Sequence, residues 1–158
     1  MAAKTGKTAI AVTPAGYRRA RVLTIPEASV QTGAKGMTLM VSAGIATAIT
    51  GNPQTIKGFY RNAPQNGASD GAKTASYYVA EEGIRFKAAY RGTLSDSVRG
   101  LRLNLSVNSA GAAWLTYNTD SSSAGVAIAE SWSSDWVAGD VNPEVVFTLR
   151  SANIQGDN

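Results

Sequence analysis

The residues of this chain that could do chemistry are carboxylates, hydroxyls, cations and aromatics, because its 158 residues include no histidine and no cysteine. That composition excludes disulfides, thiolate nucleophiles and thiolate metal sites. It also removes the usual general base and the commonest transition-metal ligand. Gly67-Ala68-Ser69-Asp70-Gly71 spells the G-x-S-x-G of a hydrolase nucleophile elbow. Such an elbow needs a buried strand before the serine, a helix after it and a histidine to take the proton. Polar residues flank the segment here, so a turn is expected. Gly6-Lys7-Thr8 matches only the end of a phosphate-binding loop, since the leading glycine would fall at position 1, which is Met.

Two facing acids can hydrolyse a glycosidic bond without histidine. Glu81 and Glu82 are neighbours, however, and a strand would send them to opposite faces. Glu130, Asp135, Asp140 and Glu144 fall in or beside expected loops. Asp120, Asp135 and Asp140 could offer oxygens to a calcium ion, but they lack metal-loop spacing. Asn104-Leu105-Ser106 matches a glycosylation sequon inside an expected strand, where it reads as chance. No catalytic, cofactor or metal-binding residue is assigned, and binding is the expected activity.

Charge and aromatic residues carry that expectation. Residues 1–61 hold eight Lys/Arg against one acid, Glu27, whereas residues 101–158 hold two against six. A basic front and an acidic back suit nucleic acid, an acidic protein surface or head-to-tail contact between copies. Lys4, Lys7, Arg18, Arg19 and Arg21 are the candidate partner-binding cations. Trp132 and Trp136 bracket Ser133-Ser134-Asp135 and join them as candidate anchors, with core or barrel-edge packing as the alternative.

The elements that must position these residues are strands. Ile84, Phe86, Ala88 and Tyr90 alternate with Arg85 and Lys87. Leu101, Leu103, Leu105 and Val107 alternate in the same way, and so do Val145, Phe147 and Leu149. Period two places each set on one face of a half-buried strand. Met37–Val41, Ser76–Ala80, Ala113–Tyr117 and Gly125–Ala129 are further expected strands, and Asn108–Gly111 is expected to turn a hairpin. The predicted fold is all-β, a small barrel or sandwich over residues 25–158. Residues 1–24, basic and interspersed with Gly and Pro, are expected to form an extended arm. No apolar run approaches the ~20 residues of a membrane span, and Ala9–Val12 is too short for a signal-peptide core. A soluble protein made in a cytoplasm is expected.

The order of segments from Ser76 to Leu149 carries a resemblance. Val79-Ala80-Glu81-Glu82-Gly83-Ile84 leads to the Leu101–Val107 strand, and the Asn108–Gly111 hairpin follows. Next come Gly125-Val126-Ala127-Ile128-Ala129-Glu130, the Ala138-Gly139-Asp140 turn and the Val145–Leu149 strand. This half of the chain resembles the small β-domain of tailed-phage capsid decoration, or cement, proteins. It departs from their pattern at the bulky Trp132–Trp136 link and at Asn142-Pro143. The resemblance implies a non-enzymatic virion protein on the capsid surface, often a homotrimer, whose partner is the major capsid protein. On that basis the basic arm would lie in an acidic capsid groove. The rival expectations are a nucleic-acid-binding barrel with Phe59, Tyr60, Tyr77 or Tyr78 as stacking platform, and a carbohydrate-binding fibre or spike module using Trp132 and Trp136.

Overall fold

The computed structural model describes residues 2–16, 18–29, 31, 33–65, 67–117 and 125–156. In chain order the strands are β1 (Ile10–Ala11), β2 (Thr13–Ala15), β3 (Val22–Pro26), β4 (Thr38–Ser42), β5 (Ile45–Ile49) and β6 (Gly58–Tyr60). They continue with β7 (Thr74–Val79), β8 (Arg85–Tyr90), β9 (Arg102–Val107), β10 (Ala112–Tyr117), β11 (Ala127–Ser131) and β12 (Glu144–Leu149). Asp96–Val98 and Ser151–Asn153 form single 3-10 turns. The fold is all-β, as the alternation predicts. No helix of the described residues is long and apolar enough to cross a membrane.

The longest alternating runs build a closed barrel. Its order is β10-β9-β11-β12-β8, and β8 returns to β10 by a parallel pairing of Ala89 with Trp114 and Tyr90 with Leu115. Inward residues of these strands, among them Phe86, Leu103, Leu105, Leu115 and Phe147, are buried. The expected Asn108–Gly111 hairpin joins β9 to β10 in register, with Ala113 opposite Val107. Away from their shared pairs β8 and β10 separate. The gap between them is filled by the N-terminal chain: β1 pairs with Ala112–Ala113 of β10, β2 pairs with Arg85–Lys87 of β8, and Val12 between them is buried.

The second sheet has the order β3-β7-β6-β4-β5. It curls until its two edges touch at one parallel bridge, Glu27 with Ala46, where the Ala28 N–H donates to the Ala46 carbonyl at 2.9 Å. Phe59 of β6 then meets Phe86 and Phe147 of the barrel at ring-centroid distances of 4.7 and 6.5 Å, so the two sheets share one core.

Residues 2–16 and 18–24 do not stand off as the arm that the composition of residues 1–24 suggests. Residues 4–6 run beside Val141, with the Val141 N–H donating to the Lys4 carbonyl and the Gly6 N–H to the Val141 carbonyl, both at 2.8 Å. Residues 10–15 plug the barrel seam, and β3 begins at Val22. The physical reason is that an added strand is held by its ladder of backbone hydrogen bonds, which low apolar content does not prevent. Gly6 makes the close approach possible: a Cβ there would sit 2.2 Å from the Asn142 carbonyl oxygen and 2.6 Å from the Trp136 ring.

Candidate partner-binding surface

The residues singled out by charge and aromatic content divide into two groups. Lys4 and Trp136 are brought together, but against each other: the Lys4 ammonium lies 3.9 Å from the Trp136 ring centre and donates to the Asp135 carbonyl at 3.1 Å. Beneath them Asp140 is buried, accepting the Lys4 backbone N–H at 2.8 Å and the Val137 N–H at 2.9 Å. Those two N–H groups, Val137 first, hold its carboxyl below the usual carboxylate range, with help from the Lys4 charge and against the effect of burial. Trp132 is half-buried under the Arg99 guanidinium at 4.5 Å, and Trp114 lies under Arg91 at 3.7 Å. Each indole therefore has a cation on one ring face, which leaves Trp132 and Trp136 poorly placed as an open sugar platform. Lys7 is exposed on the same N-terminal segment.

Arg18, Arg19 and Arg21 form the second group, on the approach to β3. Arg21 pairs with Glu81 at 2.8 Å, while Arg18 and Arg19 are exposed. The G-x-S-x-G segment is a turn, as its flanks predict: Asp70 accepts the Ser29 N–H and hydroxyl at 2.8 and 3.0 Å. Of the calcium-ligand candidates, Asp120 lies outside the described residues, the Asp140 carboxylate accepts the Lys4 backbone N–H, and Asp135 meets Lys4 through its backbone carbonyl. Among the described residues no cluster of three or more His, Cys, Asp or Glu is placed to hold a metal ion.

The surface with unused binding capacity is the outer edge of β3. The Val79 N–H donates to the Arg21 carbonyl at 2.9 Å and the Glu27 N–H to the Lys73 carbonyl at 3.0 Å. Antiparallel alternation therefore turns the backbone groups of residues 21, 23, 25 and 27 toward β7, and those of Val22 and Thr24 away from it. No described residue pairs with that outward side at Val22 or Thr24. Val22 and Leu23 are also among the exposed large apolar residues, at 43% and 39%. An exposed apolar sheet edge is what soluble proteins normally blunt.

A cleft opens on each face of this edge. Leu23 sits opposite Tyr77, so the two share a face. There a cleft of about 750 Å³ separates Leu23 and Ile25 from Met40, Val41 and the Ala43-Gly44 turn, with buried Tyr77 in its lining. Val22 sits opposite Tyr78 on the other face, where a cleft of about 350 Å³ is lined by Pro14, Arg19, Val22, Arg61 and Tyr78. Tyr77 and Tyr78 thus point to opposite faces, as neighbours on a strand must, while Phe59 and Tyr60 are buried and unavailable for stacking. Val22, Leu23 and Thr24 were hidden in sequence by the basic residues before them, although Val22-Leu23-Thr24-Ile25 is a β-branched, apolar run of the kind that signals a strand. No protein-family model and no curated protein sequence matches this chain.

Proposed function

We propose that this chain is a non-enzymatic assembly subunit that decorates a phage capsid and stabilises it by bridging neighbouring capsid subunits. The observation that carries the reading is the open β3 edge with an apolar and a cationic cleft on its two faces. The rest of the chain supports it as a rigid body: the barrel seam is filled from within, and the N-terminal segment is fastened by Lys4, Gly6 and Arg91, whose Nε donates to the Thr8 carbonyl at 2.9 Å. The resemblance of Ser76–Leu149 to cement proteins supplies the capsid as partner, the virion surface as location after synthesis in the host cytoplasm, and a homotrimer as the assembled form. Contacts that are individually modest would then be multiplied by the symmetry of the shell.

Two measurements test this. Light scattering at low and high salt is expected to give a salt-resistant particle of about three 16.4 kDa chains, and a monomer at both salts would remove the trimer. Tailed-phage shells assembled without accessory proteins are expected to carry the chain with them on sedimentation at a fixed ratio to the capsid subunit. Failure to co-sediment with every shell tried would overturn the decoration reading. A second reading, single-stranded nucleic acid bound by Tyr78 between Arg19 and Arg61, is favoured by their shared cleft. It predicts oligonucleotide affinity that collapses with salt.

A further inference from the structure

The barrel seam and the β3 edge pose the same structural problem, and among the described residues only the first is solved. In the barrel, β8 and β10 part company and an extended segment, residues 10–15, lies antiparallel to both and fills the gap. In the second sheet β3 and β5 part company beyond the Glu27–Ala46 bridge, and among the described residues nothing fills the gap at Val22–Thr24. The Ala46 and Ala48 edge of β5 is already taken: the Ala46 carbonyl accepts from Ala28, and the Ala48 N–H donates to the Gln31 side chain at 2.6 Å. On the β6 side of β4, the Val41 N–H donates to Gln155 Oε1 at 2.8 Å, and Gln155 Nε2 donates back to the Val41 carbonyl. Neighbouring edges are capped and β3 is left open.

We infer that β3 is a strand-addition site, which docks an extended segment of another protein whose side chains alternate between acidic and apolar. The inference rests on the assembly reading above and names the chemistry of its partner. Two backbone N–H groups and two carbonyls, from Val22 and Thr24, supply the ladder that an incoming strand would complete. Side chains of that strand must alternate between faces. The one opposite Leu23 enters the cleft lined by Ile25, Met40 and Val41, with Ser42, Lys57 and Gln155 also in its wall, and the large apolar side chains there favour an apolar residue. Those opposite Val22 and Thr24 emerge on the Tyr78 face. There Arg19 and Arg61 line the cleft without a carboxylate partner among the described residues, and they select an acidic residue. Pro26 and the Glu27–Ala46 bridge end the site on one side, which limits it to a short segment.

Charge decides against the β3 edge of a second copy as the occupant. Two β3 edges meeting about a two-fold axis would bring both copies of Arg18, Arg19 and Arg61 to one seam, while Glu81 on each side pairs with Arg21. Like charges so placed repel. A nucleic acid could use the cations and Tyr78, but it would leave the Val22 and Thr24 ladder and the apolar Leu23 cleft unused.

The test uses the full chain, with a library of displayed linear peptides as probe. Enriched sequences are expected to alternate Glu or Asp with Leu, Ile, Val or Met. Hydrogen exchange should then show the Val22 and Thr24 amides, fast in the free chain, becoming protected by the selected peptide. The Leu23 and Ile25 amides, already bonded to β7, should change little. Thr24→Pro removes one outward donor without touching the β7 ladder, because edge positions tolerate proline, and is expected to weaken the peptide at least tenfold. Arg61→Glu should weaken it similarly and shift the selected sequences toward Lys or Arg.

Absence of enrichment, or selected peptides that bind Thr24→Pro as tightly as the unaltered chain, would overturn the inference. Oligonucleotide binding abolished by Arg61→Glu and untouched by Thr24→Pro would replace it with the nucleic-acid reading. Capsid shells bound equally by Thr24→Pro and by the unaltered chain would leave decoration standing and sink strand addition. Selected peptides without any shell binding would do the reverse.

Discussion

Asp140 accepts one backbone N–H from Val137 beside it and another from Lys4 at the far end of the sequence. Those bonds favour the charged carboxylate, so its pKa in the folded chain is lowered. The sign of the linkage follows. A depressed carboxylate contributes stability that is present above the ordinary carboxylate pKa of about 3.9 and is lost as pH falls through the folded value. What is lost is local: the attachment of residues 4–6 beside Val141, with the Lys4 ammonium above Trp136. Protection of the Gly6 amide, which donates to the Val141 carbonyl, measured against its intrinsic exchange rate at each pH, should therefore fall in acid before the barrel unfolds, accompanied by a change in tryptophan emission. Asp140→Asn keeps one acceptor oxygen and loses the charge. It is expected to exchange faster at neutral pH and to show no acid step. An acid step that survives in Asp140→Asn would assign the effect to another group.

Among elements, the β4–β5 hairpin carries visible strain beside the proposed docking site. Ser42 pairs with Ile45, so the loop is the two residues Ala43 and Gly44, at φ of 50° and 76°. Two left-handed residues in succession suit Asn-Gly, and alanine in the first position costs about 1 kcal/mol. Ala43→Asn should stabilise the chain by roughly 0.5–1 kcal/mol and raise the melting temperature by about 1–4 °C. An unchanged or lower melting temperature would mean that the turn is not the source of strain.

The same hairpin shows where the sequence was legible and where it was not. Ile84–Tyr90, Leu101–Val107 and Val145–Leu149 announce themselves because apolar residues recur at every second position, against intervening residues that are mostly polar. In Ile45-Ala46-Thr47-Ala48-Ile49 the core-facing residue is Ala46, too small to mark a face, and β6 is buried at all three positions, so no alternation exists to be seen. Residues 10–15 are ordered by ladders with β8 and β10, partners some seventy to a hundred positions away. Their own composition could not reveal that. For the site, Arg19 was visible as charge, but its cleft-mate Arg61 became meaningful only once β3 and β7 lay side by side.

For the whole molecule, the question is whether the two sheets act as one body when a partner pulls on β3. The link is aromatic. Phe59 is the β6 side chain that reaches the barrel, packing on Phe86 at 4.7 Å with the rings tilted by 55° and facing Phe147 edge-on at 82°. All three rings are buried, so deleting one leaves a cavity that the surrounding strands can only partly close. Phe59→Ala should cost about 3–5 kcal/mol, which for a chain of this length lowers the melting temperature by roughly 10 °C. The informative part is how the loss is distributed. Every tryptophan lies on the barrel side, on β10 or in the segment after β11, whereas Phe59 belongs to the other sheet. If the core is shared, tryptophan emission and far-ultraviolet circular dichroism should shift together in Phe59→Ala, in a single transition. A tryptophan transition left at its original temperature while the dichroism splits would show two units melting separately. Load taken up at β3 would then stop at the second sheet, and the chain could not act as a rigid bridge between its partners.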